Sequence, residues 1–184
     1  AKNREFMEKY GLNGFYHDNT HPYACAKEIT GCGYQRGGAT VPTYPILAYR
    51  SLYRRLYAMA KQRDPSAFLM AHMSGKVTIP VLAYEDSYLD GEHFRGQVKD
   101  SYMDLLPLDT FRAEFMGRQW GLGPEFLVYE NRPFTTEEGL AMTLLHDVLV
   151  RPAGVGPRDR LIFSLWRARD DFGVQDAEFL PYWS

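Results

Sequence analysis

The chain has 184 residues, 45% hydrophobic and 24% charged, with 21 basic and 23 acidic side chains that give a formal charge of -2 at pH 7. That balance leaves no electrostatic footprint for nucleic acid or an anionic membrane, and no apolar run approaches the roughly 18 residues that span a bilayer. The size fits a soluble globular unit with a sizeable core, read as a single domain over residues 1–184.

The N-terminal AKNREFMEKYG is helical in character, lacks the apolar core of a signal peptide, and stops at Gly11. Residues 12–18 then read as a strand, and its last part, GFYHDNT, passes from aromatic residues straight into His17, Asp18 and Asn19. A Gly-rich loop follows from Thr20 to Val41 and holds both cysteines, Cys25 and Cys32. Loops of that length inside a domain are often functional. The first expectation for the cysteines is a disulfide, which belongs to an oxidising compartment. The alternatives are two free thiols, or a zinc site with His17 and His21 whose spacing matches no common finger or ribbon.

Thr43 is placed to cap a helix entered through Pro45, with Ile46, Tyr49, Tyr53, Leu56 and Ala60 on one stripe and Asp64-Pro65 as its end. AFLMAH (67–72) and IPVLAY (79–84) read as buried strands, the first ending at His72 and Ser74 and the second running into Glu85 and Asp86. The acidic stretch continues through Asp90, Gly91 and Glu92. Asp109 is expected to cap a helix through Phe111, Phe115 and Met116 that Gly121 stops, and EFLVYE is the next strand. Thr135 with Glu138 spells a capping box before Leu140, Leu144, Leu145 and Val148. Residues 158–169 form the last helix, with Leu161, Ile162, Leu165 and Trp166 inward.

Strands alternating with amphipathic helices imply α/β architecture with parallel pairing. Four strand candidates in this length point to a partial (β/α)8 TIM-type barrel, with an open α/β sheet as second choice. The chain opens without an initiator Met and ends on the apolar FLPYWS, so an upstream half of the barrel is expected from a longer chain.

Ligands gather at the C-terminal edge of such strands. Two carboxylates delivered there from separate strands suit glycoside hydrolysis, one as acid and one as base or nucleophile, at about 5–5.5 Å or about 6.5–9.5 Å. Asp18 is the first catalytic candidate, opposed by Asp86 or Glu92. His17, Asn19 and His72 are candidate hydroxyl ligands, and Tyr16, Tyr84 and Trp120 candidate stacking walls, because aromatic faces suit sugar rings. No cofactor and no resident metal are expected. G-x-G-x-x-G, P-loop and G-x-S-x-G signatures do not occur.

GFYHDNT, CAKEITGCGY, PTYPILAYRSLYRRLY, AHMSG, YEDSYLDGEHF and LPLDTFRAEFMGRQWG, spanning most of residues 11–121, resemble the C-terminal part of the catalytic domain of glycoside hydrolase family 123 and related bacterial proteins. The resemblance implies a barrel glycosidase of bacterial carbohydrate metabolism, exported to the periplasm or beyond. It also implies an adjacent Asp-Glu pair, the Asp orienting the acetamido group of the substrate and the Glu acting as acid. Asp18 matches the first position, but Asn19 stands at the second, and an amide donates no proton as an acid does. The acid then comes from Asp86, Glu92 or the missing half. A sugar-binding pseudoenzyme and a zinc hydrolase on His17, His21 and the cysteines are the rival expectations.

Overall fold

The computed structural model describes residues 2–74, 76–115, 121–128, 135–152 and 159–183. They form a mixed α/β fold in two compact units, residues 1–86 and 87–184.

The first unit runs α1 (Lys2–Tyr10), β1 (Gly14–His17), β2 (Tyr34–Arg36), β3 (Ala39–Val41), α2 (Ile46–Arg63), β4 (Phe68–His72) and the single turn α3 (Ile79–Leu82). β1 and β4 pair in parallel, Gly14 opposite Phe68 and His17 opposite Ala71. Because side chains alternate along a strand, Phe15 and His17 leave one face of this pair and Tyr16 the other. Phe15 faces the helices, in a cluster of Met7 of α1, Ala60 of α2, Leu69 of β4 and Ala67 just before it. On the other face Tyr16 is 49% exposed, as is Phe68 at the start of β4.

β2 and β3 form a hairpin within the long loop, closed by Gly37 and Gly38 at φ 59° and 77°. Two left-handed residues in succession match the twist of the flanking strands. At the base of the loop Cys25 exchanges backbone hydrogen bonds with Thr43, and Cys25 is disulfide-bonded to Cys32. The disulfide expected from the sequence is therefore present. It consumes two of the four ligands of the zinc reading, which is withdrawn. Thr43 is not the helix cap, since its hydroxyl accepts from Gly33 N–H and Pro45 stands at the cap position.

The second unit runs β5 (Ser87–Asp90), α4 (Leu108–Phe115), β6 (Gly123–Val128), α5 (Thr135–Leu145), β7 (Leu149–Pro152) and α6 (Asp159–Phe172). β5, β6 and β7 pair in parallel, Ser87 opposite Gly123 and Glu125 opposite Leu149. Phe126 of β6 is the hub of the core, with Phe111, Phe115 and Tyr102 edge-on to it at 5.2, 4.9 and 5.3 Å. Such edge-to-face packing adds to the area each ring buries. Glu138 does not close a capping box, because its carboxylate accepts from Ser101 Oγ and Tyr102 N–H. Ile162 is buried, but Leu161 and Trp166 are exposed, contrary to their expected inward positions, although the Trp166 indole N–H donates to Val150 O.

One strand assignment is overturned. IPVLAY is not a strand: Pro80 opens the turn α3, and Tyr84 and Glu85 continue as turns, donating from their amides to Val81 O and Leu82 O. A proline lacking N–H and fixed near φ -65° is suited to the first helical turn and unsuited to a sheet interior. The next strand is SYLD, Ser87–Asp90, within the acidic stretch. Glu85 and Asp86 thus precede a strand.

Candidate functional site

At the C-terminal edge of β1 and β4 a polar group assembles around His72. Tyr16 Oη bonds His72 Nδ1 and Ser74 Oγ bonds His72 Nε2. In a neutral imidazole one nitrogen donates and the other accepts, so the two hydroxyls and the ring form a chain whose polarity follows the tautomer. The carbonyl of His72 accepts from the buried Thr20 hydroxyl at 2.6 Å, which ties the loop after β1 to the end of β4.

Asp18 brings a carboxylate to this group, its Oδ1 lying 3.6 Å from His72 Nδ1. The side chain is 65% exposed, open to a ligand. Asn19 aims it: the Asn19 backbone N–H donates to Oδ1 at 2.8 Å and its side-chain amide to Oδ2 at 3.2 Å. Asn19 Oδ1 in turn accepts from Tyr23 at 3.2 Å. Asn19 and Ser74 hold φ of 53° and 36°, so non-glycine residues in the left-handed region follow both strand ends. Such conformations cluster at sites where the surroundings enforce them.

His21 lies within electrostatic reach of Asp18, and Lys76 lies beside His21. Lys76 Nζ lies 3.4 Å from His21 Nε2 and 5.7 Å from the Tyr23 ring centre. Burial and the Lys76 charge hold the His21 imidazole below its ordinary value, against the pull of Asp18. A neutral His21 can accept from the ammonium.

His17 points to the opposite face. Its Nδ1 donates to Glu85 Oε1 at 2.9 Å, and its ring stacks on Phe15 and meets Tyr53 of α2 edge-on. Burial raises the Glu85 carboxyl, with His17 opposing that rise, and burial followed by the Glu85 charge pushes Tyr53 up to about 12. His17 is thus a core residue rather than the expected hydroxyl ligand. Tyr84 is likewise taken up by α2, packed on Tyr57 with Arg50 over its ring, and is no wall beside Asp18.

Asp86 does not oppose Asp18 across a cleft. Both its oxygens accept from Lys61 at 2.9 Å, Oδ2 also accepts from Leu69 N–H, and its own N–H donates to Leu69 O. Leu69 and His72 are three residues apart in β4, about 10 Å along an extended strand. Asp86 is therefore fixed toward the N-terminal end of β4 and Asp18 beside its C-terminal end. Glu92 lies in the second unit, half-buried at the start of the turn Glu92–Phe94 two residues beyond β5. Trp120 lies outside the described residues.

Tyr16, Asp18, Asn19 and His72 are thus brought together as expected, and the contributions of Thr20, Tyr23 and Lys76 were not foreseen. Only the nearness of HMSGK to a strand end hinted at Lys76. The chain matches no protein-family model, no curated protein and no solved structure.

Proposed function

We propose that this chain is the C-terminal half of a (β/α)8-type glycoside hydrolase, with Asp18 as the carboxylate beside the scissile bond. The supporting observation is the placement of that exposed carboxylate, aimed by two Asn19 N–H groups, next to the Tyr16–His72–Ser74 chain at a parallel strand edge. A carboxylate with neighbouring hydroxyl and imidazole groups can meet the ring hydroxyls of a sugar while stabilising positive charge at its anomeric carbon. Tyr16 supplies an exposed aromatic face in the same place.

Asp86 is left out of this proposal, since its oxygens are occupied by Lys61 and Leu69. The Cys25–Cys32 disulfide supports an exported, extracytoplasmic protein.

The full-length protein assayed on a panel of aryl glycosides tests the reading. Hydrolysis that disappears in Asp18→Asn and persists in Asp86→Asn is the expected result, and equal activity of Asp18→Asn and wild type refutes it. A binding-only carbohydrate protein is the second reading, favoured by one observation: the residue after Asp18 is an amide spent on Asp18 itself. Calorimetric affinity for a glycan without any turnover is its signature.

A further inference from the structure

Asp90, the last residue of β5, is fully enclosed. Gly91 follows at φ 110°, where a Cβ would lie 2.9 Å from Leu127 O and 3.1 Å from Leu127 N. A side chain is excluded there by both space and backbone conformation. The chain therefore turns back tightly, Phe94 N–H donating to Gly91 O at 3.0 Å, and carries His93 onto Asp90.

His93 Nδ1 stands 3.0 Å from Asp90 Oδ1, yet this buried nitrogen has no aligned hydrogen-bond partner. The third group comes from α4, which Phe111 and Phe115 anchor in the core: Glu114 Oε1 lies 3.9 Å from His93 Nε2. The Glu114 backbone is itself held, its carbonyl accepting from the buried Tyr88 hydroxyl at 2.6 Å. One ligand atom from each of the three residues lies within 4.8 Å of the others.

We propose that Asp90, His93 and Glu114 bind a divalent first-row transition cation, of which Zn2+ and Mn2+ are the probes. Two carboxylates and one imidazole make a mixed N/O donor set, and a dication that displaces their protons meets all three ligand atoms at once. The close but misaligned approach of Nδ1 to Oδ1 suits two ligand atoms directed at a third atom. The mixed N/O set selects against Mg2+ and Ca2+, which prefer oxygen alone. Three protein ligands also leave coordination positions open. This site is independent of the Asp18 reading and lies wholly in the second unit.

Calorimetric titration of the chelator-stripped, full-length chain tests it. Expected is saturable 1:1 binding of Zn2+, weaker binding of Mn2+ in accord with the usual affinity order, and no saturation by Mg2+ at the same concentrations. Glu114→Gln and His93→Gln each weaken Zn2+ at least about tenfold, while His72→Gln leaves it unchanged. If Glu114→Gln fails to fold, His93→Gln reads the same loss. Absence of saturable Zn2+ binding by the folded wild type, undiminished binding in His93→Gln, or a loss confined to His72→Gln overturns the assignment.

Discussion

His17 Nδ1 donates to Glu85 Oε1 at 2.9 Å beneath the β1–β4 pair, with the Glu85 side chain wholly enclosed. Removing one member strands the other in the core. Glu85→Ala is expected to destabilise the protein by about 3 kcal/mol. Glu85→Gln, whose amide oxygen still accepts the imidazole N–H, costs less. Urea unfolding midpoints of the two variants check this order.

The same carboxyl gives a pH dependence. Burial raises the Glu85 carboxyl above the ordinary glutamate range, His17 pulls it back, and Asp86 adds to the rise. The folded state thus binds this proton more tightly than the unfolded chain. The contribution of Glu85 to stability is complete below about pH 4.5 and is lost as pH rises through the folded value. Wild-type stability is expected to fall across that window with a steeper slope than that of Glu85→Gln, as denaturation at a series of pH values will record.

Lys61 and Asp86 form a partly buried ion pair that also anchors Leu69 and Ala67. A double-mutant cycle of Lys61→Ala and Asp86→Ala is expected to give a coupling of about 1 kcal/mol. Turnover or glycan binding stays at the wild-type level in Asp86→Asn, whose oxygen still accepts from Leu69 N–H. An equal loss of activity in Asp86→Asn and Asp18→Asn would return Asp86 to the site.

Asp18 is exposed and makes its protein contacts by accepting, so Asp18→Asn should melt with the wild type. On the proposed function its hydrolysis rate falls by roughly a hundredfold or more. His72→Gln is expected to reduce activity less than Asp18→Asn but to cost stability as well, because both ring nitrogens are engaged. Steady-state kinetics beside thermal melts separate the two effects.

The Cys25–Cys32 bridge closes a short exposed loop. Chain entropy limits its worth to about 2.5 kcal/mol. Thiol titration of the unreduced, denatured chain should find no free thiol. Reduction should loosen residues 20–43 in hydrogen exchange while leaving β1 and β4 protected.

Much of the framework is legible in the amino-acid order. Gly11 ends α1, the stripe through Tyr53 and Ala60 marks α2, and the apolar runs at Phe15, at 67–72 and at 125–128 become β1, β4 and β6. The polar ends at Asp18 and His72 likewise follow from alternation and strand length. IPVLAY misleads because a run of four to six apolar residues serves a helical turn or a strand equally well, and the proline in its first turn decides for the turn. SYLD is hidden because its polar ends look solvated, whereas Ser87 spends its hydroxyl on Gly123 O and Asp90 is enclosed.

That displacement of one strand by a few residues decides the fate of the acidic stretch. It puts Asp86 beside Lys61 near the start of β4, and brings Asp90 to a strand end where His93 and Glu114 meet it. The sequence alone determined that carboxylates and histidines would follow the strands, because burial periodicity is a local property. Only the tertiary structure decided which of them face each other, because that depends on register and on the direction of elements far apart in the chain.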